Sequence, residues 1–133
     1  MSVAVPLEIL DAPYLVGGED PTGMDCWGAV VYVYRSAGME PPTLPEVAAS
    51  FDANDKLRAG RGDNPEWLEV TDDVLKDLDI VVWYPDFAKV SVGVVVDPMQ
   101  ARMVTSVEGI GVKTMKIRAI KGEIVGIYRR SGG

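Results

Sequence analysis

The chain has 133 residues, of which 47% are hydrophobic, with a formal net charge of −7 and an isoelectric point near 4.5. That length suits one domain spanning residues 1–133, and the apolar content excludes wholesale disorder. The negative balance argues against a general nucleic-acid binder or a protein held on an anionic membrane, since both need a basic face.

A single cysteine cannot form an internal disulfide, so cysteine usage leaves the redox compartment open. The start, Met1 to Glu8, lacks the basic lead and apolar core of a secretory signal, and no apolar run approaches the ~20 residues of a membrane span. Synthesis in the cytoplasm is the expectation.

Residues 1–12 are short and mixed in character and read as an N-terminal arm without chemistry. Residues 13–24 form a loop in which Gly17, Gly18 and Gly23 give the backbone freedom that a β-carbon would restrict. From Asp25 onward the pattern turns helical. Cys26, Ala29, Val30, Val33, Tyr34 and Ala37 recur at spacings of three and four, Asp25 suits the N-cap, and Gly38 suits the position just past the end. The run Ala29 to Tyr34 is so apolar that this helix is expected at the centre of the molecule. Leu44 to Phe51 reads as a second, short helix with Pro45 in its first turn. Residues 52–63 are charged and contain glycine; they read as loop, and Arg61-Gly62-Asp63 within them reads as an exposed turn rather than an integrin ligand.

Beyond Trp67 to Val70 and the acidic Thr71-Asp72-Asp73, the period changes to two. Strands are expected at Leu78 to Tyr84, Val90 to Val96, Ala101 to Val107, Val112 to Ile117 and Glu123 to Tyr128, with Gly109, Gly111 and Gly122 between them. Residues 129–133 read as a flexible basic tail. Helices first and a run of antiparallel strands second define an α+β chain, a helix bearing Cys26 packed on a five-stranded, mostly antiparallel sheet.

Cys26 is the residue with the clearest chemical promise. At a helix N-terminus, free N–H groups and the helix dipole favour thiolate over thiol, which is one way to prepare a nucleophile. Against this stands the plain alternative of a small buried residue kept for packing. A nucleophilic cysteine also needs a base, and the chain contains no histidine. The glycine loop fits no phosphate-binding spacing and is not followed by Lys-Ser/Thr. Asp72, Asp73, Asp77 and Asp79 match no calcium loop and read as a solvated face; neither a metal nor a cofactor is expected.

Tyr14-x-x-Gly17-Gly18 followed by Pro21-x-Gly23-x-Asp25-Cys26-x-Gly28 resembles the nucleophile motif of the NlpC family of papain-like cell-wall endopeptidases. Asp25-Cys26-Trp27-Gly28 with Tyr32-x-Tyr34-Arg35 resembles the branch found in tailed-phage tail-tip proteins. Downstream, Leu78-Asp79-Ile80 looks like the family's Gly-Asp-Leu strand with leucine in place of glycine, and Val92 to Val96 looks like its His-Val-Gly-Ile strand. The resemblance runs from about residue 12 to residue 128.

The resemblance implies a papain-like NlpC-type fold and a Cys–His site that cleaves peptidoglycan stem peptides. It puts the nucleophile at Cys26, the tyrosine beside the active site at Tyr14, the histidine position at Ser91 and the third polar position near Thr105, with Trp27 as a further candidate for the cleft wall. A serine or threonine hydroxyl is too weak a base to deprotonate the thiol and too weak an acid to protonate a leaving amine. The expectation is therefore a structural or assembly component of a phage tail tip built on an inactive peptidase fold. Its expected partners are other tail-tip or hub proteins, with peptidoglycan as a further candidate ligand, and its expected destination is the virion tail. The alternatives are an active cysteine peptidase or amidase with a non-histidine base, and an inactive domain that binds a cell-wall or acyl ligand.

Overall fold

The structure, a computed structural model, describes residues 5–41, 67–70, 74–84 and 91–130. The expected helix at 44–51, Arg61-Gly62-Asp63, Asp72 and Asp73 lie outside the described residues.

The central helix, α1, spans Cys26–Ser36. Its start is fixed by Asp25, whose Oδ1 accepts the Gly28 N–H at 2.7 Å while Oδ2 accepts the Gly17 N–H at 2.8 Å. One carboxylate thus caps the helix and ties the glycine loop to it. The other end closes on Gly38 at φ +76, with the Met39 N–H donating to Tyr34 O and the Gly38 N–H to Arg35 O. This is the double hydrogen bond of a left-handed helix stop.

Two short strands, β1 (Glu19–Asp20) and β2 (Gly23–Met24), pair within the loop before the helix. The helix presses close on that loop. A β-carbon at Gly28 would lie 1.9 Å from Gly18 O, and one at Gly18 would lie 2.2 Å from Gly23 O. Only glycine fits at either place.

Among the described residues six strands follow: β3 (Trp67–Glu69), β4 (Ile80–Tyr84), β5 (Ser91–Asp97), β6 (Arg102–Val107), β7 (Gly111–Lys116) and β8 (Glu123–Arg130). They form one antiparallel sheet in the order β3-β8-β4-β5-β6-β7. The expected five strands are present, and Trp67–Glu69 adds a sixth that pairs with β8 at the edge. Three residues are too few to show a period of two, so this strand is invisible to pattern reading.

The sheet is covered on both faces. Ile80, Val82, Val92, Val94 and Val104 pack with Ala29, Val30, Val33 and Tyr34 of the helix. Val81, Trp83, Val95 and Met103 pack on the other side with Met115, Ile117 and Ile120. Burial on both faces explains why β5 reads as a valine run rather than a clean apolar–polar alternation.

Both chain ends of the expected layout change character. The arm is docked. A 3-10 turn at Leu7–Ile9 buries Ile9 completely, and the Asp11 N–H and Ala12 O bond to Val112 of β7. The expected basic tail is corrected at its start: Arg129 and Arg130 belong to β8, and residues 131–133 lie outside the described residues. Arg129 grips Asp79 with two hydrogen bonds of 2.9 and 2.8 Å and also donates to Val74 O.

Asp79 is in turn corrected from a solvated acid to a buried one, 1% exposed, because this ion pair and the Lys76 N–H compensate its charge. The residue before it, Leu78, stands where the resemblance leads one to expect glycine. Its φ is +70, and it is held there by the Tyr34 hydroxyl donating to its carbonyl at 2.6 Å.

Candidate active site

Cys26 opens the first turn of α1, where the glycine loop, the helix and the start of β5 meet. A cavity of about 520 Å³ lies against it, and Tyr14, Ser91 and Thr105 line the same space. The structure therefore brings together four of the five residues singled out from the sequence.

Trp27 does not join them. It packs against the main core, since one residue along a helix turns the side chain by about 100°.

Ser91 begins β5, and the backbone of the next residue, Val92, lies near enough to the Cys26 sulfur to favour its thiolate. Position 91 is thus one residue from the backbone near the thiol. Thr105 is fully buried, and its hydroxyl donates to Val92 O at 2.7 Å. It pins the backbone beside the cysteine. Ser106 does the same one residue on, donating to Met24 O at 2.7 Å and tying β6 to the loop that carries the helix.

Burial pushes the Cys26 thiol above its ordinary value, and the charge of neighbouring Asp25 adds to the rise. The backbone near the sulfur, at Val92, Trp27 and Cys26 itself, opposes it without prevailing. At this thiol, burial and the Asp25 charge outweigh the stabilisation that the helix terminus offers a thiolate. The capping carboxylate that starts the helix places a negative charge next to the sulfur, and the surrounding side chains remove water from it.

The rest of the lining was not foreseen. Trp83, Met115, Ala119 and Ile120 make it apolar on one side, while Glu108, Lys113 and Lys121 bring charge to it. Alternation along β7 puts Lys113 and Met115 on one face, but only the three-dimensional chain path shows that this face borders the cysteine. The lining contains hydroxyls, ammonium groups and one carboxylate, and the chain has no imidazole to offer.

A cysteine at the N-terminus of a helix packed on an antiparallel sheet defines a papain-like α+β fold. The profile of the NlpC/P60 family matches residues 11–127, and the chain belongs to that family.

Solved structures agree on the fold. An NLP/P60-family protein of Staphylococcus aureus subsp. aureus Mu50, described as similar to lipoprotein, has a TM-score of 0.61 at 21% identity, covering 96% of this chain and 39% of that one. NlpC1 of Trichomonas vaginalis has a TM-score of 0.64 at 20% identity, covering 95% and 41%. The NlpC/p60 domain of the peptidoglycan hydrolase SagA has a TM-score of 0.54 at 20% identity, covering 89% and 88%. The chain thus spans less than half of the first two proteins and most of the SagA domain. No curated protein matches it at a significant level. No helix among the described residues is long and apolar enough to cross a membrane.

Proposed function

We propose that the chain is an NlpC/P60 domain that has given up peptide-bond cleavage and serves as a structural component of a phage tail tip. The observation that carries the loss of catalysis is Ser91. It lines the cavity that Cys26 also borders, at the position where the family resemblance calls for histidine. A hydroxyl there neither takes the thiol proton nor returns one to a leaving amine. A thiol held above its ordinary pKa supports the same reading.

The tail-tip assignment is supported by the Asp25-Cys26-Trp27-Gly28 and Tyr32-x-Tyr34-Arg35 motifs, and its partners would be neighbouring tail proteins. In this role the domain would be made in the cytoplasm and built into the virion.

The test is twofold. Purified protein incubated with peptidoglycan should release no stem-peptide fragments by mass spectrometry, and Cys26→Ala in the phage genome should leave infectious particle yield unchanged. Fragment release that disappears in Cys26→Ala would overturn the first half, and failed tail assembly by a normally folded Cys26→Ala protein would overturn the second.

The competing reading, an active cysteine peptidase or amidase with another base, has one observation in its favour: Glu108 shares the cleft lining with Cys26. That reading requires turnover that Glu108→Gln abolishes. Peptidoglycan as a bound but uncleaved ligand is supported by the likeness to the SagA domain, itself described as part of a peptidoglycan hydrolase.

A further inference from the structure

The chain carries a net charge of −7, yet residues 102–121 hold Arg102, Lys113, Lys116, Arg118 and Lys121 against the single carboxylate of Glu108. Two of these cations, Lys113 and Lys121, line the cleft beside Cys26, and neither forms an ion pair with a described residue. Lys113 is half-buried. Its ammonium has therefore lost part of its hydration without gaining a counter-ion among the described residues, and an incoming anion would supply one.

The wall that accompanies them is apolar, built from Trp83, Met115 and Ile120 of the second core cluster. The volume, about 520 Å³, is that of a small-ligand site.

We propose that this cleft binds a carboxylate carried on an apolar body, with Lys113 and Lys121 holding the carboxylate and Trp83, Met115 and Ile120 covering the apolar part. The proposal rests on the reading that the cleft does not turn its ligand over. The carboxylate has two natural sources, the C-terminus of an apolar peptide and a fatty acid.

Calorimetric titration of the full chain with acetyl-Ala-Ala-Leu, with the same peptide as its C-terminal amide, and with decanoate separates them. At least one of the two acids should saturate the protein at millimolar concentration. If it is the peptide, the acid should bind about tenfold more tightly than the amide, a difference of about 1.4 kcal/mol. Saturation by decanoate alone supports the site and assigns it to the lipid source. The binding acid should weaken as salt rises, because the contact is ionic. Lys113→Gln and Lys121→Gln should each weaken it several-fold, whereas Arg118→Gln, which removes the same charge from an exposed position outside the cleft, should not.

Equal binding of peptide acid and amide, no saturation by either acid, or equal losses from Arg118→Gln and the lysine variants would overturn the proposal. Should a lysine variant fail to fold, the acid–amide and salt comparisons on the unaltered chain still decide it. Mass spectrometry of the titrated peptide distinguishes the underlying reading: released leucine would refute an inactive cleft while leaving the binding result to stand on its own.

Discussion

Asp25 sits between two demands that conflict. As a cap it holds the first turn of the helix and the Gly17 loop together; as an anion it disfavours ionisation of the thiol beside it. Asp25→Ala should lose about 1–3 kcal/mol of stability in urea denaturation, the sum of a lost cap and a lost loop hydrogen bond. Asp25→Asn keeps a capping oxygen but removes the charge, so alkylation of Cys26 followed against pH should move to lower pH.

The raised thiol pKa also has a thermodynamic sign. The folded state holds the Cys26 proton more tightly than the unfolded chain, so stability should decline as pH rises past the ordinary thiol value of 9.0. Melting temperature measured between about pH 8 and 10 should fall more steeply in the parent than in Cys26→Ser, since the replacement removes the titrating thiol.

At the scale of elements, the helix was the most legible part of the sequence. Its apolar spacing, Asp25 and Gly38 marked both ends, and the structure places them at Cys26–Ser36. The strands from Ile80 onward were legible for a similar reason, because alternation and glycine punctuation are local signals. What escaped reading depends on contacts far apart in sequence: the docking of Asp11 and Ala12 on β7, and the lysines and aromatic side chain that complete the cleft.

The turn between β5 and β6 shows a further local choice. Ala101 stands at φ +52, a left-handed conformation that costs a residue with a β-carbon roughly 1–2 kcal/mol. Ala101→Gly removes that strain but adds about 0.5–1 kcal/mol of backbone entropy to the unfolded chain. The net gain should be roughly 0.5–1 kcal/mol, read as a higher urea midpoint at unchanged slope. Gly28→Ala should do the reverse and destabilise at the upper end of the roughly 1–3 kcal/mol typical of overpacking, because the obstructing atom is backbone rather than a movable side chain.

Across the whole molecule, the Asp79–Arg129 pair joins segments 50 residues apart. Asp79 is 1% exposed and the Arg129 side chain 27% exposed, so most of this pair is withdrawn from water. Arg129→Ala should leave a buried carboxylate without its cation and cost about 3–5 kcal/mol, measured by denaturant unfolding. No local pattern announces such a pair. Arg129 and Arg130 look like tail residues beside Ser131-Gly132-Gly133, and only the sheet shows that they continue β8.

The strand order β3-β8-β4 has a consequence for how the protein is born. A ribosome delivers β3 and β4 well before β8, yet β8 is the strand that lies between them. The neighbours β4 to β7 are consecutive hairpins and can zip as they emerge, whereas β3 waits with its backbone unpaired until Glu123–Arg130 arrives. Completion of the sheet is therefore a closing event after most of the chain has been made, and truncation or stalling before residue 123 leaves two adjacent edges open to the wrong partners.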